Sequence, residues 1–296
     1  MKKVTKAIIP AAGFGTRFLP ASKSIPKEMF PIVDKPVIQL VVEECVASGI
    51  KDIIIVINDF KTAIKDHFSP PNEQIVSFLM QGGERKRPFL DAVEKISKLA
   101  HFTFIKQMGG YGNATPVRNS ESLIGDEPFA VLWADDFIYS NPPRLKQCLD
   151  VFEKYGDPVI SGIRIENKSD LSKYGIAHLT HVEGNVSKIN YIVEKPDVER
   201  APSNMATHGC YILTPDIFPI LRNQKPGTGG EYYLVEAIDQ LRSLGRTIYS
   251  CEIAGGKYYD TGNKLDYMTT TVEFACKHPE IGEPFKLYLK DFIKSL

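Results

Sequence analysis

Val4-Thr5-Lys6-Ala7-Ile8-Ile9-Pro10 runs without a break into Ala11-Ala12-Gly13-Phe14-Gly15-Thr16-Arg17, and this junction decides the fold. The first part is a short apolar run rich in β-branched side chains, as expected of a strand buried on both faces. The second is a Gly-rich turn, and such a turn after a buried strand lets backbone N–H groups gather around phosphate oxygens. Gly13 and Gly15 keep it small, Thr16 follows, and Arg17 offers a planar fork of donors suited to a polyphosphate. Phe18 stands where the dinucleotide fingerprint G-x-G-x-x-G has its third glycine, and the pattern G-x-x-x-x-G-K-[ST] is absent. An ordinary strand-to-helix turn with a surface Arg is the competing reading. Far along the chain, Asp260-Thr261-Gly262-Asn263-Lys264 offers a carboxylate in a tight turn, as a divalent metal requires. Together the two segments suggest a metal-dependent site for a nucleoside triphosphate.

Working outward, Val37 to Val46 covers a wide helical face behind Pro36, and Gly49 ends it. Ile53 to Ile57, Phe102 to Lys106 and Phe129 to Trp133 read as further strands, with helices over Asp59 to His67, around Ser120 and from Pro143 to Lys154. Alternation of this kind predicts an α/β fold: a Rossmann-like mixed, mostly parallel sheet with helices on both faces. Ligands then bind at the carboxyl ends of the strands. Ala11 to Arg17, Gln107 to Gly112 and Asp135 all follow predicted strands. After Tyr155 the pattern turns to hairpins: Pro158 to Ile163, then Ile176 to Leu179 against Val186 to Val193 around Gly184-Asn185. His208 to Leu213 and Thr247 to Ile253 are later strands, and Glu231 to Leu241, Lys264 to Cys276 and Pro284 to Ile293 are helices. The expectation is one domain over 1–296, with a nucleotide-binding part to about 155 and a closing part after it, which the resemblance described below implies is sugar-binding.

With 36 Lys+Arg against 36 Asp+Glu, no global field recruits nucleic acid or an acidic membrane. The 5 cysteines are dispersed, without CxxC or Cys/His spacing, and read as reduced thiols of a cytoplasmic protein. Lys6, Pro10 and Arg17 interrupt the first apolar stretch too early for a signal-peptide core, and no run approaches the ~20 apolar residues of a membrane span.

Ala11 to Pro20 and Pro26-Lys27-Glu28-Met29-Phe30-Pro31-Ile32-Val33-Asp34-Lys35-Pro36 resemble the signature of bacterial UTP:glucose-1-phosphate uridylyltransferases. Gly125 to Leu132, Tyr174-Gly175, Val193-Glu194-Lys195-Pro196, Leu213-Thr214-Pro215, Gly229-Gly230-Glu231 and Tyr259 to Lys264 extend that resemblance in order. It implies a nucleotidyltransferase fold and a Mg²⁺-dependent reaction in which a sugar 1-phosphate oxygen attacks the α-phosphorus of UTP and expels pyrophosphate. Carried over residue by residue, it implies that Ala11, Ala12 and Gly13 face the nucleotide, while Arg17 and Lys27 hold the triphosphate. Gln107 and Gly112 would read the uracil edge, Asp135 and Asp260 hold the metal, Glu194 the sugar hydroxyls and Lys195 the sugar phosphate. Gly175 would let backbone approach the sugar. The resemblance also implies a homodimer or homotetramer.

The chain departs from the family at Gly110-Tyr111-Gly112-Asn113-Ala114-Thr115-Pro116, at Ala134 and at Ala206 to Tyr211. These changes lie beside the base and sugar positions. They leave open a related enzyme using another sugar 1-phosphate or dTTP. A non-catalytic nucleotide-sugar sensor conflicts with the presence of Arg17, Lys27, Asp135, Lys195 and Asp260, and an NAD-dependent oxidoreductase with the missing third glycine.

Overall fold

The computed structural model describes residues 2–296. Ala7, Ile8 and Ile9 are wholly buried because Lys6–Pro10 (β1) lies inside the sheet, flanked on both sides. After three short 3₁₀ turns, a ribbon of Pro31–Ile32 (β2) and Lys35–Pro36 (β3) leads into Val37–Ala47 (α1), which ends before Gly49 at φ 92°. Asp52–Ile57 (β4) runs parallel to β1, with Ile53 opposite Ala7. Thr62–Phe68 (α2), Glu73–Gln81 (α3) and Arg87–Ser97 (α4) precede His101–Lys106 (β5), which extends the parallel run. The helix expected from Asp59 starts at Thr62, and α3 and α4 are additions to the sequence reading. Thr115–Asn119 (α5) and Glu121–Ile124 (α6) then lead to Phe129–Leu132 (β6), parallel to β1 on its other side, followed by Asp136–Ser140 (β7) and Arg144–Tyr155 (α7).

The second half contributes Val159–Arg164 (β8), Gly175–Glu183 (β9), Val186–Glu194 (β10) and Met205–Leu213 (β11). Phe218–Asn223 (α8), Leu234–Ser243 (α9), Tyr249–Glu252 (β12) and Gly256–Asp260 (β13) follow, then Lys264–Lys277 (α10) and Gly282–Lys294 (α11). Nine strands form one mixed sheet in the order β5-β4-β1-β6-β11-β8-β12-β10-β9. Parallel pairing holds in β5-β4-β1-β6 and between β12 and β8; the hairpin-rich half is otherwise antiparallel. Gly184, at φ 50°, makes the expected turn between β9 and β10.

Strand alternation divides the core into two layers. Ala7 and Ile9 face the helices α1 and α7, through Val37, Val41, Leu145 and Phe152. Ile8 faces the opposite layer, with Phe218, Leu221, Leu234 and Ile238 of α8 and α9. Each fully buried Ile contributes about 1.5–3 kcal/mol relative to exposure, so this central strand is a firm platform for the turn that follows it.

Two seams position the site. The C-terminal part of β11 pairs with β6, whereas Ala206 and Thr207 pair with Ile176 and Gly175 of β9. A separate ribbon joins β13 to β7 with Asp260 opposite Asp136. Behind it Arg144, fully buried, binds Asp136 at 3.1 Å and clasps Glu44 with two nitrogens at 3.1 Å each. Removing one partner of a buried ion cluster strands the others. Arg144→Met therefore lowers unfolding stability by about 3–5 kcal/mol in urea titrations; a loss below ~1 kcal/mol would show that Glu44 and Asp136 tolerate burial without their cation.

Candidate functional site

At the carboxyl end of β1 the chain leaves the sheet, and two cavities open that share Gly13, Lys27, Tyr111 and Asp135. The first, 670 Å³, is also lined by Ala12, Gln107, Gly112, Asn113 and Trp133; the second, 610 Å³, by Gly15, Thr16, Arg17 and Gly262. They form one cleft along the strand ends. Most of the predicted nucleotide-binding residues thus meet there. Ala11 is the exception in part: it is buried and its N–H donates to the Val56 carbonyl at 2.8 Å, so that donor serves the sheet.

Gly15 adopts φ 64°, a left-handed conformation that side chains rarely take. A Cβ there would also lie 3.2 Å from Ser22 Cβ and 3.4 Å from the Lys27 stem, so the Lys27 chain lies directly against the loop. Ser22 Oγ ties the loop down by donating to the Gly15 carbonyl at 2.7 Å. Lys27 Nζ reaches Asp135 and forms an ion pair with its carboxylate. Burial, the largest single influence, pushes the Asp135 carboxyl up, but the charge and hydrogen bond of Lys27 together with the charges of Lys61 and Arg17 outweigh it and the net shift is downward.

Asp135 and Asp260 converge although 125 positions separate them in the chain. Thr261 donates to the Asp135 carbonyl oxygen twice, from its backbone N–H at 2.9 Å and its hydroxyl at 2.7 Å. Asp260 accepts from Gly262 N–H at 2.6 Å and from Asn263 Nδ2 at 3.2 Å; burial raises its carboxyl from the ordinary value. A Cβ on Gly262 would sit 3.0 Å from Asp260 Oδ1, 3.3 Å from Asp135 Oδ2 and 3.6 Å from Arg17 Nη1. The glycine keeps clear a space that both carboxylates face. Arg17 closes its rim with a 3.4 Å bond from Nη1 to the Gly262 carbonyl. Asp136, the neighbour, is turned inward to Arg144, and burial pushes it up to about 7.

Glu194, Lys195 and Gly175 lie outside the two cavities, at the adjoining strand seam. Trp133 N–H donates to the Gly209 carbonyl at 3.0 Å, and beyond this point β9 takes the place of β6 beside β11. Gly175 stands opposite Glu194 and Thr207, and a Cβ on it would come within 3.1 Å of both Glu194 Oε2 and Thr207 Oγ1. Lys195 has φ 45°, a non-glycine left-handed residue, and its N–H is held by the Tyr174 carbonyl at 3.0 Å. Such strain concentrates at working sites. Its ammonium is exposed and 3.8 Å from Glu194, whose carboxyl burial pushes up.

The divergent stretch has a structural account. Gly112, at φ 138°, lies against the Tyr232 backbone with no room for a side chain, and Tyr111 and Ala114 bracket Tyr232 through bonds of 2.9 and 3.0 Å. Asn113 Oδ1 accepts from Leu234 N–H at 2.7 Å, satisfying the first turn of α9. Tyr111, Asn113 and Trp133 were not singled out as site residues from sequence, because no motif marks them; only their place beside Gln107 and Asp135 pointed to the cleft.

A family model described as Nucleotidyl transferase matches residues 6–276. The chain belongs to that family. A relative from Staphylococcus epidermidis, named UTP–glucose-1-phosphate uridylyltransferase, is 42% identical over 290 residues, covering 98% of this chain and 99% of that protein. One of the same name from Bacillus subtilis is 43% identical over 294 residues, covering 99% and 98%. Among solved structures, a UTP-bound UGPase from Acinetobacter baumannii superimposes with a TM-score of 0.85 at 31% identity, covering 97% of this chain and 98% of the other. The nucleotidyltransferase-type α/β fold expected from sequence is thereby established.

Gly262→Ala places a methyl in the space between the two carboxylates. The expected result is a melting temperature within ~2 °C of the wild type, with loss of the thermal shift given by UTP plus Mg²⁺. A full shift in the variant would show that ligands do not use this space.

Proposed function

We propose that this protein transfers a uridylyl group from UTP to glucose 1-phosphate, giving UDP-glucose and pyrophosphate. The observation that carries the reading is the convergence of Lys27, Arg17, Asp135 and Asp260 on one cleft at the carboxyl end of β1. The names of relatives covered over nearly their whole length support the same activity.

A phosphate oxygen of glucose 1-phosphate attacks the α-phosphorus of UTP, and the bond to the β-phosphate oxygen breaks as pyrophosphate leaves. Such a reaction needs alignment and charge neutralisation, with little covalent help from the protein. Arg17 and Lys27 supply positive charge to the triphosphate and the departing pyrophosphate. The small loop of Ala12, Gly13, Gly15 and Thr16 lets backbone approach the phosphates, and Gln107 and Gly112 meet the base. Glu194 accepts hydrogen bonds from sugar hydroxyls, Lys195 holds the sugar phosphate and Gly175 leaves room for the ring.

The donors around Gly262 fit Mg²⁺. Asp135 and Asp260 offer oxygen alone, and no cluster of three or more His, Cys, Asp or Glu ligands occurs among the described residues. Mg²⁺ accepts one or two carboxylates when phosphate oxygens and water complete its octahedron. Bound there, it would neutralise charge developing on the phosphates. Lys27 pairs with Asp135 before substrate arrives and is poised to turn to the phosphates.

The nucleotide half ends near residue 155 and the sugar half follows on the same sheet, as one domain. Four buried free thiols, at Cys45, Cys148, Cys210 and Cys251, support a reducing cytoplasmic setting. No helix among the described residues is long and apolar enough to cross a membrane. Leu265 and Met268 of α10 and Leu287 and Ile293 of α11 are largely exposed, which supports a homo-oligomer.

Pyrophosphate release from UTP, Mg²⁺ and glucose 1-phosphate tests the reading, run beside dTTP and other sugar 1-phosphates. Turnover with another sugar and silence with glucose would overturn the glucose assignment. Asp260→Asn is expected to lower turnover by on the order of 100-fold or more with the fold retained by circular dichroism. Wild-type rates in that variant would remove Asp260 from the metal site.

A further inference from the structure

Beside Lys27 lies a second, wholly interior ion pair. Lys61 Nζ donates to both carboxylate oxygens of Glu28 at 2.8 and 2.7 Å, and the two side chains are 1% and 2% exposed. Burial opposes both charges, pushing Glu28 up and Lys61 down. Apolar side chains of similar volume would fill such a place at little or no loss of stability. What the pair adds is direction.

The turn that carries Lys27 is a single 3₁₀ turn, Lys27–Met29, too short to fix its own height above the sheet. Lys61 is anchored better. Its N–H donates to the Asn58 carbonyl at 3.2 Å, it precedes α2, and Ile64 N–H returns to its carbonyl at 3.1 Å. Asn58 Nδ2 in turn donates to the Ala12 carbonyl at 2.6 Å. A chain of contacts therefore runs from the loop after β1 through Asn58 and Lys61 to Glu28. The Lys27 stem lies 3.4 Å from where Gly15 would carry a Cβ, leaving it little lateral freedom. Any change in the height of the turn must then move the ammonium along the cleft.

We infer that Glu28 and Lys61 are positioning residues that set Lys27 at the height from which its ammonium meets the pyrophosphate portion of the nucleotide. Glu28 borders the cleft, but its side chain and that of Lys61 are buried against each other, so both act through Lys27. The inference rests on the proposed uridylyl transfer and refines it.

The test is Glu28→Met/Lys61→Met, which removes both charges together and keeps the volume. In the reverse reaction, the KM for pyrophosphate is expected to rise by on the order of tenfold, while the KM for UDP-glucose changes less than about twofold. A purely structural role would leave both KM values at wild-type levels whatever the melting temperature, and that result would overturn the inference. Should the double variant not fold, Glu28→Asp keeps the charge and shortens the tie by one methylene. The same selective rise in the pyrophosphate KM is expected, and wild-type kinetics in Glu28→Asp would reject the inference. Wild-type protein that makes no UDP-glucose would instead overturn the functional reading itself.

Discussion

Thr261 grips the carbonyl oxygen of Asp135 with its backbone N–H and its hydroxyl, and the cleft depends on that pair of hydrogen bonds. Two carboxylates facing one space repel each other and lose solvation, so neither adopts that placement spontaneously. Pairing of β13 with β7, Asp260 opposite Asp136, brings the late turn to the end of β6. Thr261 then fixes the last few ångströms. Closing a loop of this length costs entropy that grows only slowly with length, so folding of the intervening sheet makes the closure affordable. The site is therefore a product of the whole chain.

Adjacent residues meet opposite fates at this point. Asp135 faces the cleft and Lys27, while Asp136 faces the interior and Arg144. Asp135 ends the turn that follows β6 and Asp136 begins β7, so the chain changes direction between them. Three ion clusters result, Lys27 with Asp135, Lys61 with Glu28, and Arg144 with Asp136 and Glu44. The cleft cluster is the most open of the three, which suits its proposed exchange of partners with incoming phosphates. The interior clusters hold the backbone against which that exchange takes place.

Strands were legible where apolar runs are dense. Ile53 to Ile57 lies within β4, buried on both faces, and Phe102 to Lys106 lies within β5, the edge strand, whose Phe102, Phe104 and Ile105 are half-buried. The helices α3 and α4 were not, since Glu73–Gln81 contains no buried residue and so shows no core-facing stripe of its own. Ribbon β13 escaped because Gly256–Asp260 has one strongly buried position, Tyr259, too little for a periodic signal. At the site, Gly15 and Arg17 were read from local pattern, Lys27 and Asp135 from the family resemblance, and the structure gathers them along one cleft. Lys61 carries no motif; its meaning comes entirely from Glu28, 33 residues earlier, and pairwise contact of that kind is not written in spacing. The double use of Thr261 is hidden for the same reason. The departure at Asn113 gives a helix contact at the edge of the cleft, its Oδ1 accepting from Leu234 N–H.

The seam at Trp133 and Gly209, where β11 passes from the neighbourhood of β6 to that of β9, divides labour along a single strand. One side of the seam holds the nucleotide loop on the parallel half of the sheet. Across it lies the β9–β10 hairpin with Gly175 and Glu194. The hairpin pairs with β11 and β12 and not with β1, so changes at its tip leave β1 and the turn after it in place. Under the proposed function, the architecture thus puts the phosphate chemistry on one side of the seam and the contacts to the acceptor sugar on the other. New specificities in this fold are expected to arise by changes on the hairpin side of one strand.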